Sequence, residues 1–145
     1  MTDDYHLGRF LDAQGRVYDI VLEELRSGRK SSHWMWFIFP QVIGLGHSGT
    51  ARDFAISSLE EAKAYLQHPV LGPRLRECTQ LVLNVDGRSA DQIFSYPDNL
   101  KFRSCMTLFT AATSDNRIFA DALLKYFDGE PDTLTLDILA HANEA

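Results

Sequence analysis

Residues 28–52 bring together side-chain types that can bind a nucleotide, in a stretch with little helical periodicity. Indole rings can stack on a base, and arginine or lysine can neutralise a phosphate. The candidate ligand-binding side chains in the first half of this stretch are Arg29, Lys30, Trp34, Trp36 and Gln41, with the titratable His33 among them. Taken singly, Arg29 and Lys30 are each consistent with an ordinary solvated side chain. His33 is consistent with a core imidazole whose hydrogen bonds are made within the protein. Their density favours a functional loop, because loops of this kind often carry function.

Glycines in the second half of the stretch can surround an anion with backbone N–H groups. Gly44, Gly46 and Gly49 match the G-x-G-x-x-G pattern of dinucleotide-binding folds, but the second strand and acidic residue that such a fold needs do not follow. A simpler phosphate site stays open, since glycine N–H groups can crowd around an anion. Its candidate members are Gly44, Gly46, Ser48 and Arg52. The alternative is a tight structural loop in which Ser48 or Thr50 caps the next helix.

Two aspartates and one histidine are candidates for acid–base chemistry. If the protein breaks an N-glycosidic bond, the transition state is oxocarbenium-like. A carboxylate would then stabilise the positive charge and activate water, while an acid assists the leaving group. Asp98 or Asp132 would be the carboxylate and His33 the acid. Asp132 is equally well suited to cap a helix, which is the simpler interpretation.

Lys101, Arg103 and Ser104 lie within about one turn of a predicted helix, so they can present one cationic face to a ligand. We include Lys101 and Ser104 among the candidate ligand-binding residues. The alternative is an ordinary solvated helix surface.

Composition and charge exclude several functional classes. The 145 residues include 14 lysines and arginines against 20 acidic residues, a net charge of −6 without a basic block, so non-specific nucleic-acid binding is not expected. No apolar run approaches the roughly 18 residues of a membrane span, and the acidic start lacks the positive region of a signal peptide. We therefore expect a cytoplasmic protein without membrane contact. His33 and His47 have no carboxylate or thiol at a ligand spacing, so no metal site is expected. We expect no cofactor either.

The hydrophobic pattern predicts an all-α fold in one domain that spans residues 1–145. Apolar residues recur at helical spacing over residues 10–25, 58–66, 73–83, 89–94, 97–109, 116–127 and 132–141. This pattern gives six or seven helices and one irregular aromatic and glycine-rich segment near residues 28–52. The apolar run 34–39 fits a buried strand or a buried helix, because periodicity alone does not distinguish them.

Capping residues and cysteines add two further expectations. Ser58 followed by Glu61, and Ser89 followed by Gln92, have the capping-box spacing that marks the start of a helix. A chain of this length can bury a core without disulfides, so the two cysteines, Cys78 and Cys105, are expected to be reduced core thiols.

The stretch of residues 28–41, Gly-Arg-Lys-Ser-Ser-His-Trp-Met-Trp-Phe-Ile-Phe-Pro-Gln, closely resembles the hallmark of a bacterial domain-of-unknown-function family. Further segments fit the same pattern in order: residues 44–46, 51–52, 59–66, 68–75, 98–109 and 132–135. The resemblance covers nearly the whole chain. It implies a compact, all-helical single domain and no established biochemical activity.

Residues 61–63, 106–109, 123–124 and 129–133 carry a looser likeness. They are similar to parts of the NADAR group, whose members are tied to NAD and ADP-ribose metabolism and, in some cases, to hydrolysis of N-glycosidic bonds to ribose. This chain departs from the group at Thr133-Leu134, where the group has a tryptophan–glycine pair after its late aspartate. The resemblance implies an ADP-ribose-like ligand and, if the chain is an enzyme, a hydrolase of N-glycosidic bonds.

These observations support competing functional hypotheses. The leading one is a small enzyme or binding protein that acts on an ADP-ribose-like or nucleotide-like ligand through residues 28–52, Asp98, Lys101 and Asp132. The alternative is a non-catalytic interaction module, in which aromatic residues of the segment 34–39 are exposed anchors for a protein partner. A third hypothesis gives this segment a purely structural role in the core. Burial of the two tryptophans distinguishes among these hypotheses.

Overall fold

Ten helices make up the part of the chain that this computed structural model describes, which is residues 5–142. In chain order they are α1 (Gly8–Gly15), α2 (Tyr18–Ser27), α3 (Met35–Ile38), α4 (Gly49–Asp53), α5 (Leu59–Gln67), α6 (Leu71–Leu83), α7 (Ala90–Phe94), α8 (Asp98–Ala112), α9 (Arg117–Phe127) and α10 (Thr133–Ala142). The predicted all-α class is confirmed. Over residues 5–142, the β pairing is one isolated parallel bridge between Val42 and Ile56.

The predicted number of six or seven helices is too low, because two short helices and one break between helices leave little trace in the sequence. α3 and α4 contain four and five residues, which is below the length at which a helical period becomes visible. The predicted first helix is divided into α1 and α2 at Arg16 and Val17. The apolar pattern continues across this break, since Phe10 of α1 and Val21 and Leu25 of α2 pack into the same core.

The structure shows that the run 34–39 contains one helical turn, α3, and not a strand. Gln14 of α1 donates a hydrogen bond from Nε2 to the carbonyl of Phe37 over 2.7 Å. Phe39, which follows the turn, meets Phe102 edge-on with 5.0 Å between the ring centroids, a favoured geometry for aromatic pairs. The turn therefore lies between α1 and the aromatic core.

α8 is the helix around which much of the described structure packs. It contacts α5, α7, α9 and α10. Its fully buried side chains are Phe102, Cys105, Met106, Leu108 and Phe109. A helix covered on several sides is apolar around much of its circumference. Its first turn, which begins at Asp98, lies outside this core and is where polar side chains can meet the loop after α2.

Both cysteines confirm the expectation of core thiols, since Cys78 and Cys105 are free and buried. Burial raises the pKa of Cys78 to about 12 and that of Cys105 well above its usual value. The thiolate is the reactive form of cysteine. Both side chains are therefore inert packing residues near neutral pH.

No helix within residues 5–142 is long and apolar enough to cross a membrane. α8 has 15 residues, whereas a membrane-spanning helix needs roughly 20.

The junction of α5 and α6 generates a prediction about Gly72. Backbone atoms occupy the space that a side chain at this position would need. A Cβ added to Gly72 would lie 2.1 Å from the carbonyl oxygen of Leu66. Replacing Gly72 by Ala should therefore lower the free energy of unfolding by about 3 kcal/mol, because backbone atoms cannot move aside as a side chain can. Urea denaturation followed by tryptophan fluorescence measures this loss.

Gly15→Ala is the matched control, because a Cβ on Gly15 meets no atom within 4 Å. We expect this variant to be as stable as the wild type or slightly more stable. Equal stability of the two alanine variants would contradict the assigned role of Gly72.

Candidate functional site

The carboxylate of Glu24, a buried residue of α2, holds the loop that follows this helix. Its Oε1 accepts hydrogen bonds from the backbone N–H groups of Ser31 (2.8 Å) and Ser32 (3.0 Å) and from Trp34 Nε1 (3.0 Å). Its Oε2 accepts a hydrogen bond from Ser32 Oγ at 2.6 Å. One side chain thereby fixes the backbone of the loop and the orientation of an indole ring.

The ionisation of Glu24 reflects these contacts. Burial on its own raises the pKa of this carboxyl group. Hydrogen bonds from Ser32, Ser31 and Trp34 stabilise the ionised form, outweigh burial and lower the pKa to about 2. Glu24 is therefore ionised near neutral pH, and its negative charge is compensated by hydrogen bonds within the protein.

Two backbone features direct the loop from α2 towards α7. Gly28, at the end of α2, has a φ of +77°, a left-handed conformation that favours glycine. The backbone N–H of Lys30 then donates to the carbonyl of Ile93 in α7 over 2.8 Å. This bond brings the Lys30 side chain close to the first turn of α8.

Two lysines, two tryptophans and one aspartate meet where this loop approaches α8. We call this group the lysine–tryptophan cluster, and its members are Lys30, Trp34, Trp36, Asp98 and Lys101. Asp98 pairs with both lysines: its Oδ2 lies 2.8 Å from Lys30 Nζ, and its Oδ1 lies 3.5 Å from Lys101 Nζ. Lys30 Nζ lies 5.1 Å from the centre of the Trp34 ring, and Lys101 Nζ lies 5.3 Å from the centre of the Trp36 ring. Both distances are within the range of cation–π attraction.

The cluster has an inner and an outer part. The exposed fraction of the side chain is 8% for Lys30, 19% for Asp98 and 26% for Lys101. Trp34 is buried in the core, whereas Trp36 is partly exposed. Two ammonium groups and one carboxylate give the cluster a net charge of +1 on a chain whose net charge is −6. An anion that arrives from solvent therefore meets Lys101 and Trp36 first.

A small hollow beside the cluster limits where a ligand could lie. It is lined in part by Trp36, Gln41 and Gly46 and has a volume of about 10 Å³. This is room for about one water molecule. A nucleotide at the cluster would therefore lie on its outer surface, across Trp36 and Lys101.

The glycine-rich part of the loop shows close packing and helix capping. Ser48 Oγ accepts a hydrogen bond from the N–H of Ala51 at 3.1 Å and caps α4, which is one of the two interpretations of this segment. A Cβ on Gly46 would lie 2.6 Å from that of Ala51, and Gly44 has a φ of +102°. Arg52 is exposed on α4. Anion binding by these residues stays a prediction.

Asp132 caps α10. Its Oδ2 accepts hydrogen bonds from the N–H of Thr135 at 3.0 Å and from the Thr135 hydroxyl at 2.5 Å. Its own N–H donates to Thr107 Oγ1 of α8 at 2.8 Å. The capping interpretation is confirmed, and a catalytic role of Asp132 stays a prediction.

The remaining candidate residues lie in other surroundings. Arg29 lines an open groove of about 510 Å³ beside α2, together with Glu23. His33 is exposed. Ser104 is buried on α8, and its hydroxyl donates to the carbonyl of Leu100 at 3.1 Å. Ligand binding by Arg29 and Ser104 and acid catalysis by His33 stay predictions.

The comparisons with known proteins can now be set beside this geometry. A family model described as "Protein of unknown function (DUF1810)" matches residues 4–139. The chain belongs to this family. It is also similar to the solved structure of the conserved hypothetical protein Rv1873 from Mycobacterium tuberculosis, with 56% sequence identity and a TM-score of 0.95 over 95% of this chain and 99% of that chain. No curated protein matches this chain.

Membership of the DUF1810 family confirms the predicted domain-of-unknown-function resemblance. The likeness to the NADAR group stays a prediction, as does the ligand that it implies.

Sequence reasoning missed Glu24, on which the loop of this DUF1810 family member depends. Val17, Val21 and Leu25 mark the apolar side of the first helical pattern, and Glu24 stands on the same side, seven residues after Val17. A carboxylate at a core-facing position has to be paired. A charged residue at this apolar position was therefore the signal that the sequence offered. The carbonyl of Ile93, which accepts from the N–H of Lys30, gave no such signal, because the side chain of Ile93 is an ordinary core residue.

The Glu24 contacts predict a stability that depends on pH. Because the folded-state pKa of about 2 lies below the ordinary value of 4.5, the charged carboxylate stabilises the fold above about pH 4.5. That contribution is lost as the pH falls through 2. Glu24→Gln should lower the free energy of unfolding by about 3 kcal/mol at neutral pH, and its difference from the wild type should shrink as the pH approaches 2. Urea denaturation at several pH values measures both.

Glu23→Gln is the control, because Glu23 is the exposed neighbour on the same helix. This variant should follow the wild-type curve. A difference between Glu24→Gln and wild type that is the same at every pH would contradict the role given to the carboxylate.

The Asp132 cap leads to a separate prediction. Asp132→Ala should lower the free energy of unfolding by about 1 kcal/mol, because the N–H of Thr135 loses its acceptor. Asp132→Asn keeps a side-chain acceptor and should stay close to the wild type. Thermal unfolding of the three proteins measures these differences, and an equal loss in both variants would contradict the capping role.

Proposed function

We propose that this protein binds a small nucleotide-like anion at the outer edge of the lysine–tryptophan cluster. The observation that carries the proposal is the pairing of Asp98 with both Lys30 and Lys101, each beside an indole ring. Lysine and tryptophan together provide what a nucleotide needs, a cation for phosphate and an aromatic surface for the base. The local charge of +1 attracts an anion to this edge.

The members of the cluster have different roles in this proposal. Lys101 is the more exposed cation and contacts the phosphate. Trp36 is only partly buried, which leaves part of its ring surface for a stacked base. Lys30 lies deeper, against the buried Trp34, and its ion pair holds Asp98 in place. Binding thus uses groups that the fold already positions, and preorganised groups lose less entropy on binding.

Binding is better supported than hydrolysis of an N-glycosidic bond. Such a reaction requires a carboxylate beside the anomeric carbon. The Asp132 carboxylate is engaged at the start of α10, so Asp98 is the candidate carboxylate within the cluster. Both oxygens of Asp98 already face ammonium groups. Hydrolysis with Asp98 as the carboxylate and His33 as the acid is the narrower form of the proposal.

Burial of the aromatic segment favours a small ligand over a protein partner. Trp34 and Phe39 are each 1% exposed, so they cannot be the anchors that a partner would contact. Trp36 and Phe37 are partly exposed, which is a small surface for an interface. A small ligand needs no more than the exposed part of Trp36 and one cation.

A titration with ADP-ribose, AMP and inorganic phosphate tests the proposal. Thermal shift and tryptophan fluorescence report binding, because a ligand at a hundred times its Kd adds about 2.7 kcal/mol to the free energy of unfolding. We expect ADP-ribose to raise the melting temperature of the wild type. Lys101→Met should weaken binding by about tenfold or more, because a charged hydrogen bond to the phosphate is lost.

Lys63→Met is the matched control, since Lys63 is an exposed lysine on α5. It removes the same charge from the chain and should bind as the wild type does. The proposal is overturned if none of the three compounds binds, or if Lys101→Met binds as tightly as Lys63→Met.

A further inference from the structure

The charge of the lysine–tryptophan cluster suggests which phosphate chemistry it accepts. Two ammonium groups and one carboxylate leave one positive charge for a ligand to neutralise. A phosphodiester, or each phosphate of a diphosphate esterified at both ends, carries one negative charge. A phosphate monoester carries nearly two at neutral pH. A phosphate with one negative charge therefore neutralises the cluster, whereas a phosphate monoester leaves an excess of negative charge.

The two ion pairs of Asp98 differ in strength. The Lys30 pair, at 2.8 Å, has the length of a charge-assisted hydrogen bond, whereas the Lys101 pair, at 3.5 Å, is longer than one. Lys101 is also the more exposed of the two lysines. A ligand would therefore engage Lys101, while Asp98 stays paired with Lys30. The Asp98 carboxylate then remains next to the bound phosphate and repels it.

Because the cluster is partly buried, a second negative charge on the ligand is costly to desolvate. Coulomb attraction to the cluster doubles when the ligand charge doubles. The cost of removing water from an ion rises with the square of its charge, so that cost grows fourfold. Asp98 and Lys101 are each exposed over about a quarter of the side chain or less, so a phosphate that binds Lys101 beside Asp98 loses part of its water.

We infer that the cluster selects singly charged phosphate esters over phosphate monoesters and that Asp98 is the specificity-determining residue. This inference rests on the proposed function and adds the charge of the ligand to it. Asp98 lowers the attraction for every anion, but the absolute loss is twice as large for a dianion. Removing its charge should therefore favour the monoester.

A small molecule is the expected source of the phosphate ester. The chain carries a net charge of −6 without a basic block, which repels a polyanion. A short single-stranded oligodeoxyadenylate carries the same diester group in a polymer. It distinguishes a nucleic-acid ligand from a small one in the same assay.

Calorimetric titration with cyclic AMP and AMP tests the inference, because these compounds share a base and a sugar and differ in phosphate charge. At about pH 8 the AMP phosphate is doubly charged, since its second pKa is near 6. We expect the wild type to bind cyclic AMP about threefold to tenfold more tightly than AMP.

Asp98→Asn keeps the shape of the side chain and removes its charge. It should shift the ratio of the two affinities by about tenfold towards AMP, whereas Lys101→Met should weaken both ligands. Circular dichroism and the fluorescence of the buried Trp34 show whether each variant is folded. If Asp98→Asn fails to fold, the wild-type ratio still decides the charge selection, and Asp98→Ser, which also removes the charge, tests the role of Asp98.

The outcomes separate this inference from the proposed function. If the wild type binds AMP as tightly as cyclic AMP, or if folded Asp98→Asn leaves the ratio unchanged, the charge selection is overturned while nucleotide binding stands. Tighter binding of the oligonucleotide than of cyclic AMP overturns the small-molecule source. If AMP, cyclic AMP and ADP-ribose all fail to bind, the proposed function and this inference fall together.

Discussion

The position of the loop between α2 and α3 depends on one buried carboxylate. Residues 29–34 form no regular secondary structure, so their backbone N–H groups need partners from elsewhere. The carboxylate of Glu24 supplies the partner for Ser31 and Ser32, and the same Oε1 also accepts from the indole of Trp34. A buried charge is costly unless it is paired and hydrogen-bonded. The loop thus stabilises the carboxylate, and the carboxylate orders the loop.

This interaction connects the core to the surface. Trp34 has its ring in the core, its N–H on Glu24 and one ring face towards Lys30. Lys30 is in turn paired with Asp98, so a largely buried ammonium is compensated by a carboxylate and an aromatic ring. A change at Glu24 would therefore be felt at Asp98 through packed and hydrogen-bonded groups. The cluster is thereby connected to buried groups, and a supporting shell of packed residues suits a binding site.

The aromatic segment shows why a residue type alone does not define a role. Trp34, Trp36 and Phe39 are close in sequence, yet Trp34 and Phe39 lie in the core and Trp36 reaches the surface. One helical turn sends neighbouring side chains in directions about 100° apart. The turn is too short for its period to be read from the sequence, so the sequence predicted an aromatic core segment but not which ring would face solvent.

Features that depend on residues a few positions apart were determined by the sequence itself. The helical class follows from apolar spacing, and the caps follow from single side chains: Ser58 accepts from the N–H of Glu61, Ser89 forms a capping box with Gln92, and Asp132 caps α10. The residue types of the lysine–tryptophan cluster were also visible, as separate cations, indoles and a carboxylate.

Which of these groups meet was decided by tertiary structure. Lys30 and Asp98 are distant in the chain, and their contact requires the Glu24 anchor, the Lys30 bond to α7 and the burial of α8 together. Asp132 and Asp98 have the same side chain, but one closes a helix and the other joins two lysines. The physical reason is that a local motif depends on backbone geometry within about one turn of helix. A site of opposite charges depends on how the whole core packs.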